Sequence, residues 1–163
     1  MKSAIFAGTF DPVTNGHVDL IRRALRLVDK LTVAVAIRPE KKVLFTQEER
    51  VAMIRDAVPG EPRLSVEPFD GLLVQYAEKR GIQTIIRGLR FVSDFEYEFQ
   101  MALMNRRLSG TIETLFLMPS ETYTFVNSSL VKEIARHGGD VNPFVPPNVR
   151  ERLDKALRKA AAR

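Results

Sequence analysis

Five short apolar runs, separated by stretches of helical spacing, restrict this chain more than any other feature in it. The runs are Ser3-Ala4-Ile5-Phe6-Ala7, residues 31–37, 64–66, 84–86 and 115–118. Between them, residues 18–25, 46–58, 72–80 and 93–108 carry apolar side chains at helical intervals, and two further helices are expected at 127–137 and 147–160. Strands joined through helices in units of roughly 30 residues must run parallel, with right-handed crossovers that place helices on both faces. Leu31-Thr32-Val33-Ala34-Val35-Ala36-Ile37 is almost continuously apolar, as a strand covered on both faces should be. The expected fold is α/β: one domain over residues 1–163, built on a doubly wound five-stranded parallel sheet with the C-terminal helix packed on it. No repeat, low-complexity segment or interdomain linker interrupts this pattern.

Local signals mark the ends of the helices. Thr46-Gln47-Glu48-Glu49 has the spacing of a capping box, and Pro59-Gly60 ends the helix that follows. Asp70-Gly71 precedes the next helix and Gly81 closes it. Ser93-x-x-Glu96 reads as a second capping box. Asn127 is the expected N-cap of the helix that Gly138-Gly139 stops. Pro146-Pro147 introduces the last helix, where Leu153 and Leu157 stand four apart.

The segment Gly8-Thr9-Phe10-Asp11-Pro12-Val13-Thr14-Asn15-Gly16-His17 lies between the first strand and the first helix. In an open parallel sheet that turn sits at the carboxyl edge, where ligands bind. Free N–H groups at a helix start attract anions, and Gly8 and Gly16, lacking Cβ atoms, would let a phosphate approach the backbone. His17 falls in the first helical turn, facing whatever the loop holds. The alternative is a glycine turn with no ligand, and neither G-x-G-x-x-G nor G-x-x-x-x-G-K-[ST] is present.

Other groups fall on the same edge. Arg87-Gly88-Leu89-Arg90 follows the fourth strand, and its guanidinium groups suit phosphate oxygens, though a solvated basic turn has the same sequence. Lys41 and Lys42 follow the second strand, and the sequence does not choose between them. Ser128 and Ser129 open a helix beside Asn127, a second anion cradle or simple capping. The other histidine, His137, ends its helix, where it meets free carbonyls in a structural role. The helix at 93–108 is apolar on more than one side, which core packing or an oligomer contact would explain.

Composition narrows the classes. The chain has no cysteine, which removes disulfides and thiolate chemistry but leaves the compartment open. No apolar run nears the roughly 20 residues that span a bilayer. No signal peptide is read at the N-terminus, and cytoplasm is the expected location. The net charge of +5 raises nucleic acid as a partner. The basic residues are interspersed with acids, however, as on an ordinary solvated surface.

Thr14-Asn15-Gly16-His17 resembles the T/H-x-G-H motif of the nucleotidyltransferase superfamily, a Rossmann-like group. Its Gly8-Thr9-Phe10-Asp11-Pro12 preface is similar to phosphopantetheine adenylyltransferases. The resemblance runs through the Lys41-Lys42 loop, F-T-x-E-E-R from Phe45, R-G-L-R, D-F-E-Y-E from Asp94 and S-S-L-V-K-E from Ser128. It implies adenylyl transfer from ATP to 4′-phosphopantetheine, giving 3′-dephospho-coenzyme A and pyrophosphate. It also implies Mg²⁺ carried on the nucleotide without a protein ligand, and a homohexamer acting on small molecules, with neither nucleic acid nor membrane as partner. By the same resemblance His17, Lys41 and Arg90 are catalytic, while Thr9, Lys41, Leu73 and Arg87 hold the acceptor. ATP would meet Thr9, Phe10, His17, Gly88, Leu89, Arg90, Glu98, Tyr123, Thr124, Phe125, Val126, Asn127, Ser128 and Ser129. Asn127 stands where the family has its first serine, and Ala7 where a proline is common. Rival readings are another small-molecule nucleotidyltransferase, such as one using nicotinamide mononucleotide, and a nucleic-acid-binding module without catalysis.

Overall fold

The structure is a computed structural model that describes residues 2–37 and 43–161. Its five strands are β1 (Ser3–Gly8), β2 (Lys30–Ala36), β3 (Leu64–Phe69), β4 (Thr84–Gly88) and β5 (Glu113–Leu117). All neighbouring pairs are parallel, in the order β3-β2-β1-β4-β5. The chain thus winds outward from β1 in one direction, then returns to β1 and winds outward in the other. The crevice between β1 and β4, where Phe6 pairs with Ile86, is the switch point at which open α/β sheets bind ligands.

Six helices cover the sheet among the described residues: α1 (Asn15–Ala24), α2 (Gln47–Ala57), α3 (Leu73–Lys79), α4 (Val92–Leu108), α5 (Ser128–Arg136) and α6 (Pro147–Ala161). Strand periodicity divides the core in two. Ala4 and Phe6 of β1, with Val33 and Val35 of β2, face one side and meet α1, α2, α5 and α6. Ile5 and Ala7, with Ala34 and Ile85, face the other and meet Val74 and Ala77 of α3. Leu153 of α6 is fully buried in the first cluster, as its spacing predicts.

The expected α/β architecture is the observed one, with differences at element ends. Thr46 and Glu49 form the predicted capping box of α2, and Asn127 caps α5 by accepting from Leu130 N–H at 2.9 Å. The Ser93 capping box does not form. Helix α4 starts one residue earlier, with Phe91 as a cap that has no side-chain hydrogen bond. The nearby carboxylate that does act is Asp94, which accepts from Arg90 N–H at 3.2 Å. Likewise α3 begins after Leu72, without a side-chain cap, while Asp70 accepts from the amide of Gly71. Strand β4 is longer than expected: Arg87 and Gly88 pair with Phe116 and Leu117, so these two residues are part of the sheet edge itself.

Candidate active site

The carboxyl ends of β1 and β4, the start of α1 and the start of α5 enclose one open cleft of about 600 Å³. Thr9, Phe10, His17, Arg87, Gly88, Arg90, Glu98, Tyr123, Val126, Asn127, Ser128 and Ser129 all line it, as expected from the sequence. His17 and Arg90 therefore share a single cavity. Leu89, Thr124, Phe125 and Leu73 do not line it. The Leu89 amide donates to Leu117 on β5, and Thr124 Oγ1 donates back to Ser120. Phe125 packs edge-to-face on Phe144, and Leu73, the first residue of α3, packs against the second core cluster. Lys41, together with Lys42, lies outside the described residues.

The first loop is built around an imidazole. Thr14 is the N-cap of α1, and His17 occupies the third helical position, usually taken by Glu or Gln in a capping box. Thr14 Oγ1 accepts from His17 N–H at 3.4 Å, while His17 Nδ1 accepts from Thr14 N–H at 3.0 Å. Because Nδ1 accepts, the neutral ring carries its proton on Nε2. Burial, and after it the charges of Arg90 and Arg87, lower the His17 pKa from 6.5 to about 4. At neutral pH the ring is therefore uncharged, lining the cleft with its donor proton on Nε2.

Phe10 supports the ring from below. Its backbone lies at φ 51°, a left-handed conformation rare for a bulky residue, and its ring is packed edge-on against both Phe6 and His17. A Cβ on Gly8 would lie 2.9 Å from the Phe10 ring. On Gly16 it would stand 3.4 Å from Tyr123 Cβ. Gly8 thus makes room for the Phe10 ring, while a Cβ on Gly16 would meet Tyr123 at ordinary contact distance. The amide-rich start of α1 is still the wall of the cleft.

Both arginines after Ile86 are held by carboxylates. Arg87 donates through Nε and Nη2 to Glu98 at 2.7 and 2.6 Å, and through Nη1 to the Ala7 carbonyl at 2.7 Å. Arg90 donates through Nε to Asp94 at 3.1 Å and reaches the Val126 carbonyl with Nη1 at 3.5 Å. Such fork-like pairing fixes the guanidinium planes, and each arginine retains N–H groups for an incoming anion. Glu98, expected to face ATP, lines the cleft and gives both oxygens to Arg87. Ser128 Oγ donates to the Pro12 carbonyl at 2.8 Å, which ties α5 to the first loop.

Asp11 and Lys132, which line the cleft, and Arg50, which reaches the Thr9 carbonyl beside it, form a polar network around the first loop. Asp11, 4% exposed, accepts from Leu44 and Phe45 amides and from Lys132 Nζ at 2.6 Å. Arg50, 2% exposed, gives its donors to the carbonyls of Thr9, Ala36 and Phe45. A charged residue on the buried face of an amphipathic helix was the available signal for Arg50, because such a charge must find partners inside. Nothing in the spacing of Asp11 and Lys132, 121 residues apart, announced their pairing.

The cleft at the β1/β4 switch point thus brings together the imidazole of His17, two arginines and the start of α5. Residues 5–134 match the cytidylyltransferase-like family. A phosphopantetheine adenylyltransferase of Anaeromyxobacter dehalogenans is 53% identical over 156 residues, covering 96% of this chain and 95% of that protein. One from Caldanaerobacter subterraneus subsp. tengcongensis is 51% identical, covering 98% of this chain and all of the relative. The chain belongs to the phosphopantetheine adenylyltransferase family. Among solved structures, a putative nicotinate-nucleotide adenylyltransferase from Vibrio parahaemolyticus superposes with a TM-score of 0.70 over 96% of this chain and 95% of that one. At 20% identity that likeness concerns the fold.

Proposed function

We infer that the cleft transfers the adenylyl group of ATP to 4′-phosphopantetheine, giving 3′-dephospho-coenzyme A and pyrophosphate. The observation that carries this reading is the convergence of His17, Arg87, Arg90 and the start of α5 on one cavity at the β1/β4 switch point. The acceptor phosphate attacks the α-phosphorus in line, the bond to the bridging oxygen breaks, and pyrophosphate leaves with its electron pair. A phosphate monoester has a second pKa near 6, so the nucleophile is already deprotonated at neutral pH. No general base is then needed, and no covalent enzyme intermediate.

The protein's work is orientation and charge stabilisation. Neutral His17 donates from Nε2 to an α-phosphate oxygen as charge develops there, a preorganised donor that needs no reorganisation. Thr9 and Arg87 orient the acceptor phosphate, joined by Lys41. Arg90 and the amides of Ser128 and Ser129 hold the β- and γ-phosphates, with the positive end of α5 behind them. Gly88 and Val126 border the nucleotide along β4 and the approach to α5.

Among the described residues, no three His, Asp or Glu side chains cluster closely enough to hold a metal. The carboxylates on the cleft wall are engaged, Asp11 with Lys132 and Glu98 with Arg87. This donor set suits Mg²⁺ arriving on the triphosphate, bound by phosphate oxygens and water. There the ion would neutralise charge on the leaving pyrophosphate.

The assembly is also part of this proposal. Helix α4 has no buried residue, and Val92, Met104 and Met118 are 87%, 60% and 72% exposed. Apolar surface of that extent needs a partner, and further copies of this chain supply one, in a homohexamer as the family resemblance implies. We place the enzyme in the cytoplasm, acting on small molecules and on neither nucleic acid nor membrane. The interspersed charge supports this, and no helix among the described residues is long and apolar enough to cross a membrane.

The deciding experiment measures pyrophosphate release from ATP with a panel of acceptors. Turnover is expected with 4′-phosphopantetheine and not with nicotinamide or nicotinic acid mononucleotide. Turnover of a mononucleotide in place of 4′-phosphopantetheine would overturn the reading.

A further inference from the structure

The two walls of the cleft come from segments far apart in the chain. Thr9 and Val43 line the cleft from the first half of the chain, and the start of α5 lines it from the second. Both are attached to the two residues Asp11 and Pro12. Lys132 of α5 gives its ammonium group to Asp11, and Ser128 gives its hydroxyl proton to the Pro12 carbonyl. On the opposite side, Leu44 N–H reaches both Asp11 oxygens at 3.0 and 2.9 Å, and Phe45 N–H reaches one at 3.0 Å. Arg50 completes that side by joining the carbonyls of Thr9, Ala36 and Phe45.

We propose that Asp11, paired with Lys132, is a positioning residue of the reaction that sets the distance between Thr9 with the Val43–Phe45 segment on one side and the start of α5 on the other. A carboxylate suits this place because it accepts from two amides and an ammonium together. The amide of asparagine accepts through one oxygen only and presents a donor where Lys132 or the Leu44 amide should donate. Each substrate then still has its own wall, but the attacking oxygen and the α-phosphorus no longer meet in line. Loss of alignment lowers kcat while leaving separate binding largely intact. The carboxylate acts through the segments it holds, and Lys132, with one of its three N–H donors given to Asp11, is fixed at the cleft wall.

The proposal rests on the reaction inferred above, and its test keeps the two apart. In Asp11→Asn, kcat for pyrophosphate release should fall about 10-fold or more, with the Kd for ATP changed less than about three-fold. Lys132→Met should show the same split, and the double variant should lose no more than the worse single variant, because the pair acts as a unit. If Asp11→Asn fails to fold, Lys132→Met alone decides by the same criterion. Unchanged kcat in the folded variants, or losses that multiply in the double variant, would overturn the proposal. So would a Lys132→Met defect confined to ATP binding, which would make Lys132 a triphosphate ligand. Wild-type protein that releases no pyrophosphate from this substrate pair would fail the functional reading instead. Hydrogen exchange at Leu44 and Phe45, faster in Asp11→Asn than in wild type, then still decides what Asp11 holds.

Discussion

The two halves of the sheet differ in how well one chain can finish them. On the β1–β2 side, every residue of β2 after Lys30 is buried, and α1, α2 and α6 close over it. On the β4–β5 side, β5 has no buried residue and α4, the longest helix, has none either. Yet α4 is rich in Phe, Met and Leu, and Phe95 and Phe99 stack on its surface with centroids 5.4 Å apart. The first half derives its stability from its own core. The second half leaves its apolar surface exposed in the single chain, the surface assigned above to contacts between copies under the proposed assembly, and it also carries Arg87, Arg90 and Glu98. In β4 only Ile85 and Ile86 are buried, so this half offers the chain less core of its own and more exposed apolar surface.

That contrast can be broken by measurement. Leu153→Ala, in the closed half, should cost about 2–5 kcal/mol of unfolding free energy in urea titration, because it leaves a cavity in a packed core. A value near zero would dissolve the distinction. His17→Ala should lower kcat by about 10²-fold, or about 2.7 kcal/mol of transition-state stabilisation, measured by pyrophosphate release. Met104→Glu, in the open half, should shift the sedimentation of the assembly towards single chains. Unfolding of the dissociated chain should change by less than about 0.5 kcal/mol. A large loss of monomer stability would show that α4 belongs to the chain's own core.

The smallest effect concerns pH. The folded pKa of His17 lies near 4, below its ordinary 6.5, so between these values the unfolded chain binds more protons than the folded one. Stability therefore falls as pH drops from about 6.5 towards 4 and does not depend on this group above that window. In the free enzyme, an NMR titration of the ring should show no inflection near 6.5. An inflection there would remove the neutral donor from the mechanism.

The architecture was legible because strand and helix periods are local properties. Leu31 to Ile37 and the Thr46 capping box specify their own conformations without help from distant residues. The location of the cleft was legible too, since it follows from strand order, and Asn127 at the start of α5 was a cap readable from residue type. Other parts depend on contacts that no spacing encodes. Ser93-x-x-Glu96 has the capping pattern, but the chain before it turns through Arg90 and Asp94 instead. Gly8 serves the Phe10 ring, a packing fact that follows from one left-handed residue. Asp11, Arg50 and Lys132 were hidden for the same reason: each works through a partner brought near only by the finished fold.

The joining of Thr14 and His17 has a practical consequence for anyone dissecting this enzyme. One imidazole both begins a helix and, in the proposed mechanism, serves the reaction, so alanine at that place removes a folding signal along with the proposed donor, and the measured deficit mixes the two. Glutamine is the natural occupant of the third position in such a motif. His17→Gln would preserve the helix's first turn and report the chemistry alone.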